Sequence, residues 1–99
     1  TKMPKGYMIS AHRSPADPSK SAAYREIAIP ALEKHGGKFL AGGGQVMAKE
    51  NGIAERTILI EFDSFKMAIA AYESEDYQNA LAVLDGGADR DIRLFEGLD

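Results

Sequence analysis

Four polar side chains in predicted β-strands have the chemistry of a small-molecule site: His12, Thr57, Glu61 and Arg93. An unperturbed histidine has a pKa of about 6.5, the closest to neutrality among these side chains, so His12 is the candidate proton acceptor. The fork of donors on Arg93 can anchor an anionic or enolate oxygen. Glu61 can hold a substrate hydroxyl or a second proton, and Thr57 can orient either partner. The structural alternative is a satisfied core histidine and a Glu61–Arg93 salt bridge within or between subunits.

The patterns of metal and cofactor sites are missing. The chain has no cysteine, which excludes thiolate zinc sites, iron–sulfur clusters and a cysteine nucleophile. His12 and His35 do not form an H-x-x-x-H pattern, and the dipole of a predicted helix C-terminus is a sufficient reason for His35. The glycines 42–44 do not fit a dinucleotide fingerprint, because its third glycine would fall on Met47. We therefore expect no metal and no cofactor, and we expect the glycines to bend a strand.

Composition describes an ordinary globular domain. The 99 residues are 44% hydrophobic and 27% charged, which fits one domain over residues 1–99. The net charge is −3 and no basic stripe is present, so we expect no nucleic-acid partner. No apolar run reaches the roughly 18 residues of a membrane span, so we expect no membrane partner. The absence of cysteine and of an apolar leader favours a cytoplasmic location.

Local signals predict the order strand, helix, strand, strand, helix, strand. Asp17 and Pro18 form a helix start, and glycines 36 and 37 end that helix. Ser74 offers a second cap inside the later helical region. The predicted strands are 6–12, 38–48 with an interruption at glycines 42–44, 56–62 and 91–95, and the helical regions are 18–35 and 65–84. This order is typical of an α+β, ferredoxin-like βαββαβ fold, with a four-stranded antiparallel sheet and its first strand between the third and fourth.

Side-chain alternation divides the predicted sheet into two faces. The more apolar set is expected under the helices: Tyr7, Ile9, Ala11, Ile58, Ile60, Phe62, Ile92 and Leu94. The other set is mixed: Met8, Ser10, His12, Thr57, Leu59, Glu61, Arg93 and Phe95. Exposure of this mixed face would leave an apolar patch in the middle of the sheet, and burial in a core would leave its charged side chains without partners. We therefore predict a homodimer that covers the mixed face and encloses a small pocket there, with the four polar side chains around it.

Several stretches together resemble the DUF1330 family. They are HGGKFL at 35–40, the glycines at 43 and 44, RTILIEF at 56–62, the serine at 64, YESEDYQ at 72–78 and LFEG at 94–97. The resemblance covers nearly the whole chain, with Asp63 where the family usually has proline. It implies a subunit of the dimeric α+β barrel superfamily, which includes antibiotic-biosynthesis-type monooxygenases, chlorite-dismutase-like haem proteins and muconolactone-isomerase-like enzymes. It implies no particular reaction, because the family is one of unknown function.

Two functions follow as hypotheses. The first is a protein that binds or transforms a small organic molecule without a cofactor, in the manner of a monooxygenase or isomerase, supplying desolvation and a base. The second is a non-catalytic dimerisation or regulatory module in which Glu61 and Arg93 are interface contacts. A cavity lined by polar and apolar groups favours the first hypothesis.

Overall fold

The computed structural model describes residues 3–98 and has the predicted order of elements. Within that range the strands form one sheet in the order β2-β3-β1-β4, and all neighbouring pairs are antiparallel. The ferredoxin-like prediction, with the first strand between the third and fourth, is confirmed. None of the helices in this range is long and apolar enough to cross a membrane. The elements are β1 Gly6–His12, α1 Pro18–Lys34, β2 Lys38–Ala41, β3 Thr57–Phe62, α2 Phe65–Glu73, α3 Glu75–Leu84 and β4 Arg90–Glu96.

Helix α1 begins and ends where its capping residues predict. Asp17 accepts a hydrogen bond from the backbone N–H of Lys20 at 2.9 Å, and Pro18 occupies the first helical position. Gly36 follows the helix with φ +91°, a left-handed conformation that glycine adopts without steric cost. These contacts fix both ends of the helix that covers the sheet.

The second helical region is divided at Ser74. The Ser74 hydroxyl donates to the carbonyl of Ala71 at 2.7 Å and accepts from the N–H of Tyr77 at 3.4 Å. One side chain thus ends α2 and begins α3, as its predicted capping role requires. Helix α3 packs against α1, and α2 packs against β1. All three helices cover one face of the sheet, which we call the helix face; the other is the open face.

The predicted faces of β1 are wrong. Met8 lies opposite Ile60, and Ser10 opposite Ile58, so these residues share the helix face. Met8 is 1% exposed and His12 is 8% exposed, both under the helices. The open face instead carries the set Tyr7, Ile9, Ala11, Thr57, Leu59, Glu61, Asp91, Arg93 and Phe95. The apolar content of β1 pointed to the wrong set because Ser10 and His12 are polar residues on a buried face.

The second strand is shorter than predicted. Strand β2 ends at Ala41, with a register shift between Phe39 and Ala41, and residues 45–48 do not resume it. Strand β3 starts at Thr57, so residues beyond about 43 have no antiparallel partner left to pair with. Gly43 has φ +76°, which confirms a special conformation in the glycine run. The irregularity within the strand lies at Leu40, before the glycines.

Candidate functional site

A cavity of about 320 Å³ lies between the helix face of the sheet and α1. The ends of β1, β2, β3 and β4 near His12 contribute to its wall, together with one side of α1. Its apolar lining, which we call the floor, includes Met8, Leu32, Phe39 and Ile60 from the sheet and from α1. The polar lining groups are Ser10, His12, Ser21, Tyr24, Arg25, Arg56 and Arg90. An apolar cavity with a few convergent polar groups is the usual form of a small-molecule site.

His12 lies at the end of β1, on the wall of this cavity. The backbone N–H of His12 donates to the backbone carbonyl of Arg56 at 2.9 Å, and Arg90 lies opposite His12 on β4. Burial lowers the pKa of His12, and the charges of Arg90 and Arg56 lower it further, against a smaller opposing effect of Glu55. The imidazole is therefore neutral at pH 7 and can accept a proton.

Ser10 places an unpartnered hydroxyl beside the cavity. The residue is 2% exposed, and its Oγ has no hydrogen-bond partner within residues 3–98. A buried hydroxyl without a partner is costly, whereas the same hydroxyl can bond to a bound molecule. Ser10 therefore has a spare donor and acceptor at the cavity wall.

A chain of two tyrosine hydroxyls fixes the side chain of Arg90, the first residue of β4. Arg90 Nη1 donates to the Tyr24 hydroxyl at 3.1 Å, and its Cζ lies 4.9 Å from the centroid of the Tyr24 ring. The Tyr24 and Tyr77 hydroxyls are hydrogen-bonded at 2.7 Å. Burial of Tyr77 raises its pKa far above the usual range, so this hydroxyl stays protonated. The two tyrosines hold the guanidinium of Arg90 in one position at the cavity.

The structure does not bring the four predicted site residues together. Thr57 lies opposite Ala11, Glu61 opposite Tyr7 and Arg93 opposite Ile9, all on the open face. His12 lies on the helix face, so the predicted pocket containing all four side chains does not exist. The physical reason is the strand register, which pairs Thr57 and Arg93 with Ala11 and Ile9. These two residues alternate with His12 along β1, so their side chains lie on the other side of the sheet.

On the open face these three residues make local contacts. The Thr57 hydroxyl donates to the carbonyl of Glu55 at 3.1 Å, and the Tyr7 hydroxyl donates to Glu61 at 3.4 Å. Arg93 pairs with both oxygens of Asp91, at 3.2 Å and 3.1 Å. The predicted salt bridge between Glu61 and Arg93 is therefore not formed within the chain.

Sequence reasoning did not single out Ser10, Tyr24 or Arg25 as site residues. The signal that could have found part of the site is the register of β4, since Arg90 aligns with His12 once the strand pairing is known. Ser21 and Arg25 lie one helical turn apart on α1, and Arg25 Nη1 donates to Ser21 Oγ at 2.8 Å. His35, predicted at a helix end, is hydrogen-bonded through Nε2 to Asp76 Oδ1 at 3.0 Å. It does not line the cavity.

Metal ligation has no candidate in residues 3–98, where no three His, Cys, Asp or Glu side chains are grouped so as to hold an ion. The polar groups of the cavity are hydroxyls, guanidinium groups and one imidazole. Guanidinium groups are cationic donors and do not ligate metals.

Solved structures share the fold at low sequence identity. A protein of unknown function from Rhodopseudomonas palustris is 16% identical with a TM-score of 0.73, over 99% of this chain and 85% of that chain. SnoaB from Streptomyces nogalater, described as a cofactor-independent oxygenase, is 8% identical with a TM-score of 0.62, over 97% and 95%. A dimeric ferredoxin-like protein of unknown function from Thermobifida fusca is 18% identical with a TM-score of 0.52, over 95% and 92%. No curated protein matches the sequence.

These structural likenesses establish the ferredoxin-like α+β fold alone. The family comparison goes further, because residues 5–98 match the domain of unknown function DUF1330. The resemblance read from the sequence motifs is thereby confirmed, and the chain belongs to the DUF1330 family.

Proposed function

We propose that this protein binds a small organic molecule in the helix-face cavity and transforms it, with His12 as the proton acceptor. The observation that carries the proposal is the buried imidazole of His12 beside a 320 Å³ cavity that also presents the unpartnered hydroxyl of Ser10. The lowered pKa of His12 keeps the base unprotonated at neutral pH. The cavity thus combines a base, a spare hydrogen-bonding group and an apolar floor.

The reaction begins with transfer of a proton from an acidic C–H or O–H of the ligand to a nitrogen of His12. The bonding electron pair stays on the ligand as an enolate or phenolate. In an isomerase-like reaction, the imidazolium returns the proton to another carbon of the same ligand. In an oxygenase-like reaction, the carbanion formed at a CH2 group of the ligand adds dioxygen, the co-substrate, through a new C–O bond, and the resulting peroxide anion takes the proton back from the imidazolium. The hydroperoxide then loses water to leave a carbonyl group, so the ligand carbon is oxidised and one oxygen atom of dioxygen leaves as water. The description of SnoaB as a cofactor-independent oxygenase supports considering the second course.

A thermal-shift screen of small aromatic and quinol-type compounds tests the binding step, because a ligand of the folded state raises its stability. The variant Ala88→Leu narrows the cavity and is expected to lose the shift. Ala82→Leu makes the same change at an exposed position of α3, outside the cavity lining, and this variant is expected to keep the thermal shift. Stabilisation of all three proteins by the same compounds would contradict binding in this cavity.

His12→Gln tests the base. The variant is expected to bind the compound found in the screen but to lose its turnover, because an amide cannot accept the proton. Turnover at the wild-type rate would remove His12 from the mechanism.

We also propose that the open face is covered by a second copy of the chain. Tyr7, Ile9, Leu59 and Phe95 lie together on that face; the Tyr7 and Phe95 rings stack at 5.6 Å, and Phe95 is 42% exposed. Thr57, Glu61 and Arg93 border these apolar side chains and serve as polar contacts between the two copies. The description of the Thermobifida fusca relative as dimeric supports this arrangement.

Light scattering at tens of micromolar tests the dimer, and a monomeric mass would refute it. Leu59→Asp is expected to dissociate the protein, because it puts an unpaired charge into a dry interface. Val83→Asp changes an exposed apolar residue on α3, outside the open face, and is expected to leave the mass unchanged.

The second candidate function is a dimerisation or regulatory module without a substrate, which the apolar open face favours. It predicts a dimer that no compound of the screen stabilises. A dimer with a cavity-dependent thermal shift argues against it.

A further inference from the structure

We infer that the ligand of the helix-face cavity is an amphipathic organic anion, with an oxyanion group at the arginine-lined wall and an apolar body on the floor. The inference rests on the proposed binding function and names its ligand class. The arginines that line the cavity carry positive charge without a carboxylate partner in residues 3–98, and the floor is apolar.

Three of the five arginines of the chain line this cavity: Arg25, Arg56 and Arg90. No carboxylate in residues 3–98 forms a salt bridge with any of the three. The two arginines outside the cavity behave differently, since Arg13 pairs with Asp89 at 3.5 Å and Arg93 with Asp91 at 3.1 Å. The arginines that lack a carboxylate partner are therefore the ones that surround the cavity.

Acidic side chains are absent from the cavity wall formed by the described residues. Glu55 acts on the pKa of His12 but does not line the cavity. The chain as a whole carries −3, so this local excess of positive charge runs against its overall charge. A bound anion would supply a countercharge to the half-buried guanidinium groups of Arg25 and Arg90, and the exposed Arg56 adds a third positive charge beside them.

Two of these arginines are held in place before any ligand binds. The Tyr24 hydroxyl accepts from Arg90, and Ser21 Oγ accepts from Arg25 at 2.8 Å. A guanidinium fixed in this way can bind an oxyanion with little additional loss of side-chain entropy. Ser10 adds a neutral donor to the cavity lining, because its hydroxyl has no partner in residues 3–98.

The apolar side chains of the floor favour an organic anion over an inorganic one. Met8, Leu32, Phe39 and Ile60 would meet a phosphate or sulfate with surfaces that cannot hydrogen-bond. An apolar ligand body gains from burial against the same side chains. A cavity of about 320 Å³ is at the small end of ligand sites and fits a body of about one or two rings.

Isothermal titration calorimetry with naphthoate and its neutral amide naphthamide, in a low-salt buffer free of multivalent anions, tests the inference. Naphthoate is expected to bind at least about tenfold more tightly than naphthamide, because only the carboxylate gains charge-assisted bonds. Arg25→Gln and Arg56→Gln are each expected to weaken naphthoate about tenfold or more and to leave naphthamide unchanged. Arg13→Gln removes the same charge from outside the cavity lining and is expected to change both affinities less than about twofold.

The outcomes separate this inference from the proposed function. Equal affinities for the two compounds, or naphthoate binding that Arg25→Gln and Arg56→Gln leave unchanged, would overturn the anion assignment while the cavity still binds a ligand. Binding of neither compound at about 1 mM would also overturn it, and the wider screen would then decide the proposed function by itself.

Discussion

Removal of the Tyr24 hydroxyl tests whether the hydrogen bonds among Tyr24, Tyr77 and Arg90 stabilise the protein and fix the Arg90 side chain at the cavity. This hydroxyl is bonded to Tyr77 at 2.7 Å and accepts from Arg90 at 3.1 Å. In Tyr24→Phe both bonds are lost while the ring remains, so the packing against Tyr77, with ring centroids 6.1 Å apart, is kept. Tyr77 is 0% exposed, and its hydroxyl cannot turn to water instead.

Leaving a buried donor or acceptor unpaired costs about 1–3 kcal/mol. The guanidinium of Arg90 is close enough to act on Tyr77 and can replace part of the lost bond, so we expect a loss of about 1–2 kcal/mol. For a domain of this size each kcal/mol lowers Tm by about 4–8 °C, which gives a decrease of about 4–16 °C. Differential scanning calorimetry measures the decrease directly.

Tyr72→Phe is the matched control. Tyr72 packs on Tyr77 with ring centroids 5.1 Å apart, but its hydroxyl makes no hydrogen bond in the part of the chain that the structure describes. Its removal is expected to change stability by less than about 0.5 kcal/mol. A Tyr24→Phe protein that melts no lower than the Tyr72→Phe protein would refute the role of the hydroxyl chain. A folded Tyr24→Phe protein is also expected to bind naphthoate more weakly with naphthamide binding unchanged, since Arg90 is no longer fixed.

Two further perturbations test the loop after β2 and the histidine. Gly43→Ala is expected to lower the free energy of unfolding by about 1 kcal/mol in a denaturant titration, because φ of Gly43 is +76°. Gly44→Ala, with open space around the added Cβ, is expected to lower it less. Equal losses in the two variants would contradict this expectation. Because burial and the charges of Arg90 and Arg56 lower the pKa of His12 against the opposing Glu55, the unfolded chain takes up this proton first as pH falls. Stability is therefore expected to decrease as pH falls below about 6.5 towards the folded pKa, and His12→Gln should remove this part of the pH dependence. An unchanged profile in the variant would contradict a lowered pKa.

Elements with strong local signals could be predicted from the sequence. The bounds of β1 and the start of α1 depend on neighbouring residues, such as the cap at Asp17 and the proline after it. The end of β2 depends instead on where β3 begins, which is a pairing between distant segments. The prediction therefore extended β2 through residues 45–48, where no partner strand exists.

Most residues of the site could not be predicted from the sequence for a related reason. Alternation gives two sets of residues in β1 but does not say which set the helices cover, and a shift by one residue exchanges them. Apolar content favours placing the set of Tyr7, Ile9 and Ala11 under the helices, whereas the structure buries Ser10 and His12 there. Local chemistry that departs from the rule of an apolar buried face is expected at functional sites, and these two polar residues line the cavity.

The correct register also separates the two proposed roles of the molecule. The ligand site and the proposed dimer contact lie on opposite faces of one sheet, so a substitution on one face need not disturb the other. Leu59→Asp is expected to abolish the dimer, and any monomer that stays folded should keep its affinity for naphthoate. Arg56→Gln is expected to weaken naphthoate binding and to leave the dimeric mass unchanged. Loss of both properties in Arg56→Gln would mean that the cavity and the contact between copies form one site, contrary to the arrangement proposed from the strand register.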